Sequence, residues 1–224
     1  MTNNSYRYCL WLENAPESVL TDPKIKERIE KCRARRLVSS NVKAAETPHL
    51  FLDRRKYSKN LDHFLVVPRH TTGNRAYIPL VFYGKDTIVS DACYTIENAD
   101  LYDFGILQSK MHMVWVGVVC GRIKNDFRYL QSICYNPFPW PNATETEKQI
   151  IKNLSQNILD IRDYYPEKNL AEIYSIDTMP VALRNAHEQL DKAVDKLYRK
   201  EPFENDDERF QYLFECYEKL IKKE

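Results

Sequence analysis

The spacing of apolar residues changes along the chain, and each change predicts a different kind of structure. Thr21-Asp22-Pro23 reads as a helix start, with Asp22 as N-cap and Pro23 at the first helical position. Ile25, Ile29, Cys32 and Leu37 then form a narrow apolar stripe, while Lys24, Lys26, Arg28, Lys31, Arg33, Arg35 and Arg36 cover the other faces. From about residue 48 to 141, short apolar runs alternate with turn residues. The runs at 64–68, 76–84 and 87–90 are rich in β-formers and broken by Pro or Gly, which predicts a mainly antiparallel sheet. Residues 103–113 have helical spacing, and 114–119 read as a strand. Pro137, Pro139 and Pro141 end this region, because each removes a backbone donor and biases its predecessor toward extended geometry.

Beyond residue 141 the period is helical. Thr144 and Glu147 form a capping box ahead of Ile150, Ile151, Leu154, Ile158 and Ile161. A short helix is expected around Leu170, Ala171 and Ile173. A third opens at Pro180 with Leu183, Ala186, Leu190, Ala193, Val194 and Leu197 on one face. Asp206 can cap a fourth, which carries Phe210, Leu213, Phe214, Tyr217, Leu220 and Ile221. The pattern predicts an α+β fold: a mainly antiparallel, β-rich domain with flanking helices over 1–141, then a small all-α helical bundle over 142–224.

Composition narrows the class. Of 224 residues, 43% are hydrophobic and 12% aromatic, enough to build a core and exclude disorder throughout. No apolar run approaches ~18 residues, so no membrane span is expected. The polar start Met1-Thr2-Asn3-Asn4 lacks a signal core, which points to the cytoplasm. The cysteines at 9, 32, 93, 120, 134 and 216 include no CxxC pair, so neither a disulfide framework nor a zinc site is expected, and buried reduced thiols are. All five glycines fall between 73 and 121, leaving no Gly-rich turn of the kind that binds a nucleotide or methyl donor.

Charge is uneven. Residues 1–141 carry 20 basic and 14 acidic side chains, and 142–224 carry 13 and 18. The stretch 24–75 alone holds 14 basic and 5 acidic residues, which suggests a polyanion partner for the first region. A solvated basic surface fits the same counts.

Catalytic chemistry is sparse. Asn136-Pro137-Phe138-Pro139-Trp140 is reminiscent of the Asn-Pro-Pro-aromatic site of amino-group DNA methyltransferases, but Phe138 replaces the second proline, and a structural linker is expected. His187, beside Glu188 on the third helix, reads as a packed histidine. The informative residues lie in two polar stretches. Residues 69–75 form a polar loop, and Gly121 to Tyr129 alternate as a strand would, placing Arg122, Lys124, Asp126 and Arg128 on one face. Such a row is costly to bury and has a use in a DNA groove. Lys or Arg donates to guanine O6/N7, and Asp accepts from cytosine N4. A surface strand with an internal ion pair satisfies the same pattern.

The runs Gly105 to Val116 (Gly-Ile-Leu-Gln-Ser-Lys-Met-His-Met-Val-Trp-Val), Gly121 to Tyr129 (Gly-Arg-Ile-Lys-Asn-Asp-Phe-Arg-Tyr) and Tyr135 to Pro141 (Tyr-Asn-Pro-Phe-Pro-Trp-Pro) resemble the target-recognition domain of MmeI-like restriction–modification enzymes. Tyr174, Met179-Pro180, Leu183, Ala186-His187, Leu190-Asp191 and Val194 to Tyr198 resemble that family's C-terminal helical domain. These are single-chain enzymes that combine adenine-N6 methylation with cleavage. The resemblance implies a double-stranded DNA recognition module, either a fragment or a split specificity subunit. Its methyltransferase and nuclease domains, fused or in trans, would carry S-adenosylmethionine and Mg2+. It places base-reading positions at Arg69 with Asp91, Ala92 with Arg128, and Lys124 with Asp126. Backbone contacts are expected from Lys31, Arg35, Arg36, Arg75, Lys110 and Arg122. No catalytic, metal or cofactor residue is expected in this chain. The other readings are an interaction module whose basic face meets RNA or an acidic protein, and a self-sufficient methyltransferase.

Overall fold

The computed structural model describes residues 8–40, 42–51 and 62–222, so the basic cluster at 54–59 and the polar start at 1–4 lie outside the described residues. The chain divides into two compact units, one over Tyr6–Ser58 and one over Lys59–Glu224 together with Met1–Ser5.

In the smaller unit, a short helix α1 (Glu17–Leu20) precedes α2 (Pro23–Leu37). The carboxylate of Asp22 caps α2 by accepting from Lys24 N at 2.9 Å and Ile25 N at 3.2 Å, with Pro23 in the first turn as the sequence predicts. None of the residues of α2 is buried. The helix is tied to the 3-10 turn Val42–Glu46 mainly by guanidinium groups. Arg33 donates to Ala45 O at 3.0 Å, and Arg36 donates to Ala44 O at 2.9 Å, Thr47 O at 2.8 Å and Leu50 O at 2.7 Å.

The larger unit holds two three-stranded antiparallel sheets. The first centres on β1 (His63–Pro68), and β2 (His70–Thr71) continues from it into the second sheet. β3 (Val81–Gly84) and β4 (Cys93–Glu97) flank β1, with Leu65 opposite both Phe82 and Ile96. Of the three strands predicted, 64–68 is present. Only the end of 76–84 is extended into a ladder, and 87–90 is replaced by β4. The reason lies in where the backbone groups go. The Ile78 carbonyl accepts from Gln108 Nε2, that of Leu80 accepts from Arg162 Nη1 at 2.8 Å, and Ala76 N donates to Tyr174 O at 3.1 Å. Ile78 and Leu80 are buried, but their carbonyls are satisfied by side chains.

α3 (Leu101–Leu107) begins with an Asp100–Asp103 capping box. α4 (Lys110–Val119) overturns the strand expected at 114–119. Ser109 caps it, and Met111, Val114, Trp115 and Val116 are buried, so tertiary packing overrides the β preference of a short apolar run. Gly117 and Gly121 have open space where a Cβ would stand, so neither marks a close approach of another segment. β5 (Gly121–Ile123) and β6 (Asp126–Arg128) then form a hairpin. Cys120 and Cys134, on either side of that hairpin, are joined as a disulfide, and Cys9 and Cys32 are exposed, which corrects the expectation of buried reduced thiols.

The helices α5 (Glu145–Asp163), α6 (Leu170–Ile173), α7 (Val181–Tyr198) and α8 (Asp206–Ile221) follow. The Thr144–Glu147 capping box is present; α8 is capped by Asn205, one residue before the predicted Asp206. One apolar core runs from Leu65, Ile78 and Phe104 through Trp115 and Phe138 to Ile151, Leu190 and Leu213. Packing therefore continues across residue 141. The proline segment is part of that core: Phe138 is buried, and Pro139 O accepts from Tyr198 OH at 3.0 Å. Arg162 also reaches Gln108 Oε1 at 2.6 Å and the Tyr174 hydroxyl. His187 is a packed histidine, stacked on Tyr77 at 3.9 Å and hydrogen-bonded to Tyr174, and burial holds it well below the usual imidazole range.

Candidate functional site

The site forms where β1 passes into β2 and changes sheets. Arg69, between them, donates its backbone N–H to Ala92 O at 2.9 Å and accepts from Tyr129 N at 2.8 Å. That pair of bonds fixes the turn bearing Asp91 and Ala92 on one side of residue 69 and the end of β6 on the other. His70 then pairs with Arg128, and Thr71 with Phe127. The base-reading candidates Arg69, Asp91, Ala92, Asp126 and Arg128 are thus brought to one junction, with Lys124 at the tip of the adjoining hairpin. Arg69 is partly exposed and the other five are exposed. The Arg69 guanidinium lies 4.5 Å from the centre of the Tyr94 ring, a cation–π contact that orients it.

The hairpin corrects the expected four-residue row. Ile123 pairs with Asp126, so Lys124 and Asn125 form a two-residue turn. Lys124 sits at φ 57°, the left-handed region, which costs roughly 1 kcal/mol for a residue with a Cβ. Asp126 and Arg128 share one face of β6. Arg122 pairs with Phe127 and occupies the opposite face, its guanidinium 4.7 Å from the Phe127 ring and donating to Gly117 O at 3.0 Å. A period of two cannot register a turn in the middle of a nine-residue run.

The proposed backbone contacts also divide. Lys31 and Arg35 are exposed on α2, Lys31 in an ion pair with Glu27 at 2.5 Å. The Arg36 guanidinium holds three carbonyls of its own unit, those of Ala44, Thr47 and Leu50. Lys110 pairs with Asp206 at 2.9 Å and ties α4 to α8. Arg75 is half-buried and donates to Thr71 Oγ1 at 3.1 Å; burial lowers its pKa, and the neighbouring Asp126 charge opposes that shift.

The loop at 72–75 joins the hairpin to the helical part. An added Cβ on Gly73 would stand 2.5 Å from Asn125 O. On the other side, Asn74 Nδ2 donates to Ser175 Oγ at 3.4 Å and Asp177 Oδ2 at 3.2 Å, and Asn74 O accepts from Ile176 N at 3.1 Å. These positioning residues have no sequence signal: the two-residue β2 is too short for periodicity, and Asp177 lies more than a hundred residues away.

A junction of two small sheets presenting cations and carboxylates, braced by C-terminal helices, is the arrangement of a target-recognition region. The chain belongs to the MmeI family, with residues 1–142 matching the MmeI target recognition domain and residues 143–223 the MmeI C-terminal domain. It is 40% identical over 225 residues to DNA methyltransferase A of Bacillus subtilis (strain 168), covering 99% of this chain and 25% of that protein. It is also similar to a solved structure of the Type IIL restriction-modification enzyme MmeI in complex with DNA, with a TM-score of 0.90 and 36% identity over 99% of this chain and 30% of that one. The chain thus spans under a third of either relative. Among the described residues, no helix is long and apolar enough to cross a membrane.

Proposed function

We propose that this chain is the sequence-reading part of a cytoplasmic restriction–modification enzyme and binds double-stranded DNA through the major groove. Residues 1–141 make the base contacts, and 142–224 brace them. The observation that carries this reading is the gathering of exposed, oppositely charged residues at the β1–β2 junction. Lys124 and Asp126 meet one base pair, Lys124 donating to guanine O6/N7 and Asp126 accepting from cytosine N4. Arg69 and Asp91 make the same combination, and Arg128 acts beside the small Ala92. Lys31, Arg35 and Arg122 neutralise phosphates. The methyltransferase and nuclease parts, fused or in trans, hold S-adenosylmethionine and Mg2+. Among the described residues, no three His, Cys, Asp or Glu side chains come together to hold a metal ion.

The test is binding of the full chain to random duplex DNA at low salt, followed by sequencing of what is retained. The expected result is an enriched short motif and an affinity that falls steeply with salt. Tighter binding to RNA or to an acidic protein, with no duplex motif, favours the interaction-module alternative and overturns this reading.

A further inference from the structure

The ladder of the second sheet places a side chain among the proposed base readers that neither periodicity nor the family resemblance assigns. His70 is exposed, whereas Thr71, the next residue of β2, is buried. Its cross-strand partner on β6 is Arg128, and beyond Arg128 in the same row stands Gly121 on β5. Directly paired residues of antiparallel strands have their Cβ atoms about 5 Å apart on the same face. His70, Arg128 and Asp126 therefore share one face, and Gly121 leaves the far end of the row open, with nothing within 4 Å of where its Cβ would be. Among the described residues none engages the imidazole. The backbone beside it is fixed, because Arg69 is bonded on both sides, to Ala92 and to Tyr129. An unengaged, exposed ring on a rigid ladder, flanked in sequence by Arg69 and across the strand by Arg128, is presented to whatever those two residues meet.

We infer that His70 is a further specificity-determining residue, donating from its ring N–H to a purine acceptor on the major-groove edge next to the base pair met by Arg128. This rests on the DNA reading above. An imidazole always carries at least one ring N–H, and guanine offers two acceptors on that edge, N7 and O6, while adenine offers N7 beside a donor. With the Arg128 guanidinium alongside, the row is donor-rich and selects guanine over adenine.

The experiment uses the full chain and the random-duplex selection in three variants: His70→Ala, His70→Gln and Arg128→Ala. Wild type enriches a motif. His70→Ala lowers discrimination at one position by about fivefold or more, and that position adjoins the one altered by Arg128→Ala. His70→Gln shifts the same position toward adenine, whose N6/N7 edge suits a side-chain amide. Melting temperatures of the variants confirm that each is folded. If His70→Ala keeps the wild-type preference at every position while Arg128→Ala alters its own, the inference fails and the DNA reading stands. A uniform loss of affinity with unchanged preference makes His70 a phosphate contact and also overturns it. If wild type enriches no duplex motif, the DNA reading fails and takes this inference with it.

Discussion

Gly73→Ala tests the positioning of the hairpin without touching a charge. The new Cβ would stand 2.5 Å from Asn125 O, and an unstrained carbon–oxygen contact needs about 3.3 Å, so roughly 0.8 Å must open. The loop cannot supply it easily, because Asn74 and Ala76 are held by Ser175, Ile176, Asp177 and Tyr174. The hairpin can, since β5 is exposed along its whole length and each of its strands has three residues. The turn carrying Lys124 therefore moves. Overpacking of this size costs about 1–3 kcal/mol of stability. A base contact near 2.9 Å lengthened by such a shift passes the useful limit for a hydrogen bond, and its loss is worth about 1–3 kcal/mol, or roughly 5- to 150-fold in discrimination. Selection from random duplexes should show weakened preference at the position of Lys124 and Asp126, with the position of Arg69 and Asp91 retained. A folded variant with wild-type preference throughout would refute the argument that Gly73 sets the hairpin.

Two neighbouring arginines on α2 should separate cleanly. Arg35→Ala should leave folding intact and reduce the slope of log affinity against log salt by about one, whereas Arg36→Ala should expose the amides of residues 44–50 to hydrogen exchange. Equal exchange in the two variants would contradict the division of roles. The carboxyl of Asp191 is pushed up to about 6, chiefly by burial, against hydrogen bonds from Tyr77 OH at 2.6 Å and Lys110 N at 2.6 Å. A raised carboxyl contributes stability that is present below its unfolded pKa and lost as pH rises through about 6. Wild type should therefore gain up to about 3 kcal/mol relative to Asp191→Asn between pH 7 and pH 4, measured by urea unfolding. A constant difference would show that Asp191 is not strained by burial.

Helices with local signals were the legible part of this fold. The Asp22 cap, the Thr144–Glu147 box and the apolar stripes of α5, α7 and α8 are set by contacts within a few residues. What was misread depends on distant partners. The run at 114–119 is helical because Val114, Trp115 and Val116 pack into the core, and 76–80 is not a ladder because Gln108, Arg162 and Tyr174 take its backbone groups. At the site, the residue types were legible and their arrangement was not. Arg36 and Lys110 are cations in the sequence but fasteners in the fold, and the alternation through 121–129 hides a turn at Lys124.

The claim on which the account rests is that Lys124 and Asp126 jointly read one base pair. The most direct measurement is the motif enriched by the double variant Lys124→Glu with Asp126→Arg. Preference should reverse from G·C toward C·G at a single position and stay unchanged elsewhere. An unaltered motif, from a variant shown to be folded, would contradict it.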